Sequence, residues 1–304
     1  MTDDQLRATV TTAVGAASRV ADVWSAVTAH DPWSWADVEI AVPSPSERLP
    51  AISMAGFSFR RRLPSLVEIG MVAHPSLTMI IDLSRDGGIV HGLGSSQRSG
   101  SFIAGLLPGH LRAGGLDGEC LQIRLSPVVA QAVLGSSAEL TGRVFGLELA
   151  LGREAGRLER SLRAATSWSQ RFAIAADFVD RRLQAASLIE PEVDHAWQRT
   201  LAAGGTVRID DLADEVGWNR QRLWSRFRAR LGITPKRAAQ LVRFDRAAHL
   251  LVAGRPPAEA AADTGYADQS HLHREVRAIT GTTPSRVAGA PWLAIDDVAW
   301  PTGP

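Results

Sequence analysis

The strongest constraint on the fold is a pair of glycine turns in the C-terminal third of the chain, each flanked by two stretches of helical pattern. At the first turn, a short amphipathic helix over residues 210–216 is followed by Gly217, which adopts a positive φ at little cost. Asn219 then occupies the N-cap position of a second predicted helix, residues 220–231. Two short helices joined by a tight glycine turn are typical of a helix-turn-helix.

The same pattern occurs again 48 residues further along, around Gly265. A short helix over 258–264 precedes this turn, Asp268 is the N-cap candidate, and the second helix covers 269–280. Between the two units, residues 235–253 predict one long helix with an apolar stripe. We therefore expect two helix-turn-helix units that share a central helix.

Helical periodicity separates an inner face from an outer face in these helices. The inner, apolar positions are Leu223, Phe227, Ala238, Leu241, Val242, Ala248, Leu251, Leu272, Val276 and Ile279. The outer face of the second helix in each unit is polar and basic, as in a helix that contacts DNA bases.

These residues resemble the AraC/XylS family of bacterial transcription regulators over residues 209–286, about a quarter of the chain. The matching elements are Leu212-Ala213, Gly217, Leu223, Arg226-Phe227, Gly232-Ile233-Thr234-Pro235, Arg243, Ala247, Leu250-Leu251, Gly265-Tyr266-Ala267-Asp268-Gln269-Ser270-His271-Leu272, Arg274, Gly281-Thr282-Thr283-Pro284 and Arg286. The family usually has larger apolar residues where this chain has Ala260 or Ala261, Leu272 and Val276, so we expect a smaller core in the second unit.

The resemblance implies two recognition helices that enter successive major-groove segments on one face of the duplex. The positions that match base-facing or groove-lining residues are Arg220, Gln221, Trp224 and Ser225 in the first helix and Gln269, Ser270, His273 and Arg274 in the second. Arginine binds guanine bidentately, glutamine suits adenine, and a tryptophan can press on a thymine methyl group. Arg228, Lys236 and Arg277 are interpreted as phosphate contacts. The alternatives are a solvated surface position for any one arginine, and burial under a neighbouring helix for Trp224.

The front two thirds of the chain have a different pattern. Residues 2–29 predict a helix, and residues 36–126 contain short apolar runs bounded by Pro, Gly and Ser, which predict a β-sandwich or barrel. Helical patterns return over 127–187.

We therefore expect an α+β protein in three parts. These are a β-barrel or cupin-like N-terminal effector-binding or dimerisation domain over 1–187, a tandem helix-turn-helix DNA-binding domain over 188–290, and a tail over 291–304 that lies on the surface. The partners that the resemblance implies are double-stranded promoter DNA, RNA polymerase if the protein is an activator, a small-molecule effector and a second copy of the chain. The sequence leaves open which effector binds, or whether any does.

A cupin-type metal enzyme fused to a DNA-binding module is the main alternative function. It requires two histidines one residue apart with a following glutamate, and His74, His91 and His110 in the β-rich region do not form that pattern. No Gly-x-Ser-x-Gly nucleophile motif is present either. We therefore predict that the protein is not an enzyme and uses no cofactor.

The remaining candidates for a reactive or metal site are Cys120 and the pair His271 and His273. Cys120 is the only cysteine, which excludes an internal disulfide and leaves a methyl-accepting repair site without the flanking cysteines that it needs. His271 and His273 are two residues apart, so on a helix their side chains diverge by about 200°. We expect Cys120 in the core, His271 in a structural role, and no metal site.

The charge balance supports this division of the chain. The whole chain has a net charge of +1, from 33 basic and 32 acidic residues. Residues 206–289 contain 14 basic and 9 acidic residues, a net charge of +5, whereas residues 1–205 have a net charge of −2. No signal peptide and no apolar run long enough for a membrane span are apparent, and we expect a cytoplasmic protein.

Overall fold

The structure is a computed structural model of the chain. It describes residues 38–49, 51–59, 67–71, 73–84, 89–93, 96–107, 111–115, 118–135, 137–186, 189–289, 293 and 296–300. The helix that the sequence predicts over 2–29 lies outside these residues. Within the described part of the chain, no helix is both long enough and apolar enough to cross a membrane.

The β-rich region consists of two antiparallel sheets. The strands are β1 (Val38–Ala41), β2 (Ile52–Phe59), β3 (Val67–Met71), β4 (Leu77–Asp82), β5 (Val90–Leu93), β6 (Ser96–Ser99), β7 (Phe102–Ala104), β8 (Leu111–Gly115), β9 (Glu119–Leu125) and β10 (Val144–Gly146). The larger sheet has the order β1-β2-β9-β4-β7-β10, and the smaller sheet has the order β3-β8-β5-β6. A short 3₁₀ helix, Pro45–Glu47, lies between β1 and β2.

The two faces of the larger sheet contact different hydrophobic clusters, as the residues of strand β9 show. Leu121, Ile123 and Leu125 are fully buried and belong to the main hydrophobic core together with residues of the helices. Successive side chains of a strand point to opposite faces, so the intervening residues, including Cys120, lie on the other face. There a second cluster, which contains Phe102 of β7 and Leu111 of β8, joins the two sheets.

The helices follow β9 in the chain, and many of their apolar residues share the main hydrophobic core with the larger sheet. They are α1 (Pro127–Leu134), α2 (Ser137–Leu140), α3 (Leu147–Leu151), α4 (Arg153–Ala164), α5 (Trp168–Ala185), α6 (Pro191–Ala202), α7 (Ile209–Glu215), α8 (Arg220–Leu231), α9 (Pro235–Val252), α10 (Pro257–Asp263), α11 (Gln269–Thr280), α12 (Pro284–Ala288) and α13 (Asp296–Ala299). This is the α+β architecture that the sequence predicts.

One strand interrupts the region that was predicted to be helical over 127–187. Strand β10 pairs antiparallel with β7, with Val144 opposite Ala104, and extends the edge of the larger sheet. This strand lies between the predicted helical stretches and was not itself predicted. A three-residue strand has too short a pattern to be distinguished from a helix by periodicity, and it is fixed by a partner about forty residues away.

Helix α5 fixes the helical layer to the larger sheet. Ser167 caps its N-terminus by accepting a hydrogen bond from the backbone N–H of Gln170 at 3.3 Å. The ring of Trp168 lies against Gly56 of β2, so closely that a Cβ at this glycine would overlap the ring. The absence of a side chain at residue 56 is what allows the helix to approach the sheet.

The tail also differs from the sequence prediction. Helix α13 packs against the larger sheet, where Ala299 is buried against Ala55 of β2. The guanidinium carbon of Arg124 lies 4.1 Å from the ring centroid of Trp300. The sequence analysis expected a tail over the surface and did not predict this helix or its contacts with the sheet. Ala299 and Trp300 pack against apolar residues of β1 and β2, and sequence periodicity cannot show a contact between such distant residues.

Candidate nucleic-acid interface

The first helix-turn-helix unit is formed by α7, the turn at Gly217 and α8. Gly217 has φ +65°, in the left-handed region that favours glycine. The side chain of Asn219 caps α8 by accepting a hydrogen bond from the backbone N–H of Arg222 at 2.8 Å. The predicted turn and the predicted cap are both confirmed, and α8 has the predicted bounds.

The second unit repeats this construction with α10, the turn at Gly265 and α11. Gly265 has φ +78°, and Asp268 caps α11 by accepting from the backbone N–H of His271 at 2.6 Å. Each unit is followed by a Thr-Pro pair, in which the threonine side chain caps the next helix. Thr234 accepts from Arg237 N–H at 3.2 Å, and Thr283 accepts from Arg286 N–H at 3.4 Å.

Helix α9 is the shared core of both units. All ten predicted inner positions on α8, α9 and α11 are buried. The smaller core expected for the second unit is also present, with Ala260, Ala261, Leu272 and Val276 fully buried or nearly so. Because the apolar faces of α8 and α11 are packed inward, their polar faces remain on the outside.

A buried polar cluster joins α11 to α9, and sequence reasoning did not find it. Arg243 of α9 donates two hydrogen bonds to the carboxylate of Glu275 on α11, at 2.8 and 3.0 Å, and the Tyr266 hydroxyl donates to the same carboxylate at 2.7 Å. Burial raises the pKa of Tyr266, and its hydrogen bond to Glu275 adds to the rise. Burial lowers the pKa of Arg243, but the Glu275 hydrogen bond and charge outweigh this and raise it. The cluster fixes the second recognition helix against the central helix.

The outer face of α8 carries the five residues predicted for it. Arg220, Gln221, Trp224, Ser225 and Arg228 are all exposed, and all five line one open cleft. Trp224 is 41% exposed, so it is not packed under a neighbouring helix. The Arg228 guanidinium lies 5.7 Å from the centroid of the Trp224 ring.

One of these residues is oriented by a neighbour on the other helix of the unit. Arg220 forms an exposed ion pair with Asp210 of α7, at 3.3 Å. An exposed pair of this kind is worth about 0.2–1 kcal/mol, so it can be exchanged for a contact to DNA.

The outer face of α11 carries the four residues predicted for the second unit. Gln269, Ser270, His273 and Arg274 are exposed, and the Nε2 atoms of Gln269 and His273 are 3.5 Å apart. The neighbouring His271 turns toward the protein instead, where its ring contacts the edge of Tyr266 at a centroid distance of 5.2 Å. The two histidines therefore lie in different surroundings.

The remaining predicted contacts lie at the ends of these helices. Lys236, in the first turn of α9, and Arg277, in the last turn of α11, are both exposed. All eleven predicted residues are thus on the surface of the two units, and their contacts to DNA remain predictions.

Ion pairs attach α6 to both helices of the first unit, and sequence reasoning missed these as well. Glu190, at the start of α6, pairs with Arg226 at 3.1 Å and with Arg230 at 3.4 Å. Glu215 of α7 pairs with Arg199 and His195 of α6 at 2.9 and 2.8 Å. Hydrogen bonds from Arg199 and His195 lower the pKa of Glu215 to about 2.

Two residues weighed as reactive groups lie in the β-rich region. Cys120 is partly buried beside the cluster between the sheets, and burial, together with the charges of Asp82 and Glu119, raises its pKa to about 12. A thiol with this pKa is a poor nucleophile at neutral pH. His91 is buried and stacks on Phe102, with the ring centroids 4.1 Å apart.

Comparison with known proteins agrees with the geometry of the C-terminal region. A family model described as a helix-turn-helix domain matches residues 212–289. The HTH-type transcriptional regulator YbfI of Bacillus subtilis (strain 168) is 38% identical to this chain over 66 residues. That match covers 22% of this chain and 24% of the relative, so the chain spans about a quarter of the length of this relative.

Three solved structures are similar to parts of the chain. ToxT from Vibrio cholerae is 11% identical, with a TM-score of 0.43, and the match covers 79% of this chain and 98% of ToxT. An AraC-type transcriptional regulator from Chromobacterium violaceum is 24% identical, with a TM-score of 0.31, over 33% of this chain and 90% of that one. The C-terminal domain of AraT from Geobacillus stearothermophilus is 22% identical, with a TM-score of 0.32, over 34% of this chain and 88% of that one.

The tandem helix-turn-helix units and the family match show that residues 212–289 form a helix-turn-helix domain. In this domain two units are built on one central helix, and each is closed by a Gly-x-Thr-Pro segment.

Proposed function

We propose that the protein regulates transcription by reading two successive major-groove segments of a promoter with α8 and α11. The observation that carries this proposal is the shared construction of the two helices. Each begins at a side-chain cap, packs its apolar face inward in the domain built on α9, and leaves a polar face exposed. A recognition helix reads bases from the N-terminal half of such a face.

The outer residues divide by chemistry into base readers and phosphate contacts. Arg220 and Arg274 have the donor geometry to bind guanine O6 and N7 bidentately, and Gln221 and Gln269 suit adenine. Trp224 offers an apolar surface to a thymine methyl group. The remaining residues, which line the groove or contact phosphates, are Ser225, Ser270, His273, Arg228, Lys236 and Arg277.

The modest charge of the domain favours specific contacts over general attraction. A net charge of +5 over residues 206–289 attracts DNA, but many of these arginines are already paired with carboxylates of the protein. Nonspecific binding depends on the number of phosphates that are neutralised. We therefore expect a marked preference for one operator over random DNA.

Affinity measurements on single variants test this proposal. A duplex is first selected from a random pool by the full-length chain, and its affinity is then compared with that of an unrelated duplex at one salt concentration. Arg220→Ala or Arg274→Ala should each cost about 1–3 kcal/mol of specific binding and relax the preference at one base pair. Arg181→Ala, on the exposed face of α5, is the matched control. Unchanged selectivity in both variants would show that the two outer faces do not read DNA.

We also propose that the N-terminal part of the chain, residues 1–187, senses a small molecule or forms a homodimer. The support for a ligand is a buried polar atom beside the hydrophobic cluster that joins the two sheets. Among the described residues, the Nδ1 atom of His91 is buried without a hydrogen-bond partner. Burial lowers the pKa of His91, and the positive charge of Arg98 lowers it further, so the ring is neutral at pH 7 and able to pair with a polar atom of a ligand.

The proposed function implies a cellular location and partners. The regulator acts on promoter DNA in the cytoplasm of a bacterium, and it contacts RNA polymerase if it is an activator. Native mass spectrometry of the full-length chain would detect both a bound small molecule and a dimer. A monomer that carries no small molecule would exclude both proposals for residues 1–187.

The boundary near residue 188 assigns α6 to the DNA-binding domain, which its ion pairs with α7 and α8 support.

A further inference from the structure

The N-terminal part of the chain touches the first recognition helix at its C-terminal end. Gly232 ends α8 with φ +74°, and a Cβ at this position would overlap the Thr141 hydroxyl and lie 2.6 Å from the Ala138 carbonyl oxygen. The Thr141 hydroxyl donates a hydrogen bond to the carbonyl of Leu231 at 3.2 Å. Helix α2, which ends at Leu140, is therefore docked directly on the end of α8.

The turn that follows α2 is attached by backbone hydrogen bonds to the residues that follow β7. The N–H of Gly142 donates to the Leu106 carbonyl at 2.7 Å, and the N–H of Gly105 donates to the Arg143 carbonyl at 3.0 Å. Residues 105–106 directly follow β7, the strand that carries Phe102, the stacking partner of His91. A displacement of β7 would therefore be transmitted to α2.

The same helix forms one wall of the cleft along the outer face of α8. The cleft has a volume of about 1040 Å³ and is open to solvent. The α8 wall contains Arg220, Trp224 and Arg228, and the facing wall contains Ala138 and Glu139. Glu139 is exposed and lines the same cleft as the proposed DNA-reading residues of α8.

The dimensions of DNA show what this cleft must hold when α8 binds. An α-helix with its side chains is about 10–12 Å across, and the major groove is about 12 Å wide and 8.5 Å deep. A helix that fills the groove therefore has a sugar-phosphate strand along each side. Duplex DNA carries one negative charge per roughly 1.7 Å, so a strand that enters the cleft is attracted by Arg228 and repelled by Glu139.

We propose that α2 restrains DNA binding by the first recognition helix, with Glu139 as the repulsive charge. This inference rests on the proposed function of α8 as a DNA-reading helix. While α2 is docked on Gly232, the DNA strand that enters the cleft passes Glu139 at an electrostatic cost. A shift of β7 that moves α2 away from α8 removes this cost, which couples the larger sheet to one half of the operator.

The test is the affinity of the full-length chain and its variants for the duplex that the wild-type chain selects. Glu139→Gln removes the charge and keeps the side-chain size, and it should tighten binding roughly two- to five-fold at low salt, with a smaller gain at high salt. Thr141→Val removes the hydroxyl that donates to Leu231 and should also tighten binding, because α2 is then released more easily. Asp180→Asn, an exposed charge on α5 outside the cleft, is the control for the general effect of removing a negative charge.

The outcomes separate this inference from the proposed function. A wild-type chain that selects no duplex refutes the proposed function itself. If the wild-type chain selects a site that depends on Arg220, but Glu139→Gln binds no more tightly than Asp180→Asn, Glu139 is not a restraint. If Thr141→Val weakens binding or leaves it unchanged, the docking of α2 does not restrain α8. Thermal unfolding of each variant confirms that all compared proteins are folded.

Discussion

Replacing Glu275 by glutamine is expected to loosen the second recognition helix while leaving its DNA-reading face unaltered. The Glu275 side chain is 5% exposed and that of Arg243 is 16% exposed, so the pair is largely removed from water. Glutamine keeps the size of the side chain and an oxygen that can accept from the Tyr266 hydroxyl. It removes the charge that compensates the Arg243 guanidinium.

The expected loss follows from the burial of the pair. Breaking one side of a fully buried ion pair costs about 3–5 kcal/mol, because an uncompensated charge remains. The partial exposure of Arg243 and the retained hydrogen bond reduce this, and we expect about 2–3 kcal/mol. A domain is typically stable by only about 5–15 kcal/mol, so the loss is a large fraction of the total.

Hydrogen exchange in the folded full-length chain measures this loss where it occurs. A local loss of 2–3 kcal/mol corresponds to exchange of the α11 amides that is roughly 30- to 150-fold faster. The amides of α8, which belongs to the first unit, serve as the internal reference. Binding to the selected duplex should weaken as well, because an ordered α11 is needed to contact the bases.

A second variant tests whether the loss comes from the uncompensated charge of Arg243. The double replacement of Arg243 by Met and Glu275 by Leu removes both charges and fills the site with apolar side chains, so it should cost less than the sum of the single changes. Unchanged exchange of α11 in Glu275→Gln would refute the reasoning. The reasoning would also be refuted if the double variant lost as much stability as Arg243→Met and Glu275→Leu lose together as single variants.

Two further predictions concern the turns and the acid stability of the first unit. Gly217→Ala should cost about 1–2 kcal/mol from its left-handed backbone alone, since nothing lies within 4 Å of the added Cβ. Gly265→Ala should cost more in urea unfolding, because its Cβ would also lie 2.9 Å from the Thr206 methyl group, and equal losses would contradict the clash. The pKa of Glu215 is lowered from 4.5 to about 2, so its ion pairs contribute fully above pH 4.5 and are lost as the pH falls toward 2. The stabilities of the wild type and Glu215→Gln should therefore converge between about pH 4.5 and pH 2, and a constant difference would contradict this.

Local chemistry explains why the C-terminal domain was predictable from sequence. Asn219 and Asp268 cap their helices through their own neighbouring backbone, and the helix bounds follow from those caps and from the glycines after them. Glu275 was missed although its position gave a signal. It lies three residues after Leu272 and four before Ile279, on the inner face, where a charged residue requires a buried partner.

The contacts that the sequence could not show join residues far apart in the chain. The docking of Thr141 on Leu231 spans 90 positions, and its acceptor is a backbone carbonyl, which every residue possesses. Strand β10 and helix α13 were not predicted for a related reason, since each is ordered by a distant strand rather than by its own pattern. The candidate DNA-reading residues could be found because outward-facing positions on a helix follow from its inward-facing ones.

Methylation interference on the selected duplex tests the central claim most directly. If α8 and α11 both read DNA, guanine N7 methylation should block binding in two major-groove segments about one helical turn, roughly 10 bp, apart on one face of the duplex. Arg220→Ala should abolish the interference in one segment and Arg274→Ala that in the other. A single segment, or two that respond identically to both variants, would contradict the account of two recognition helices that each read one segment.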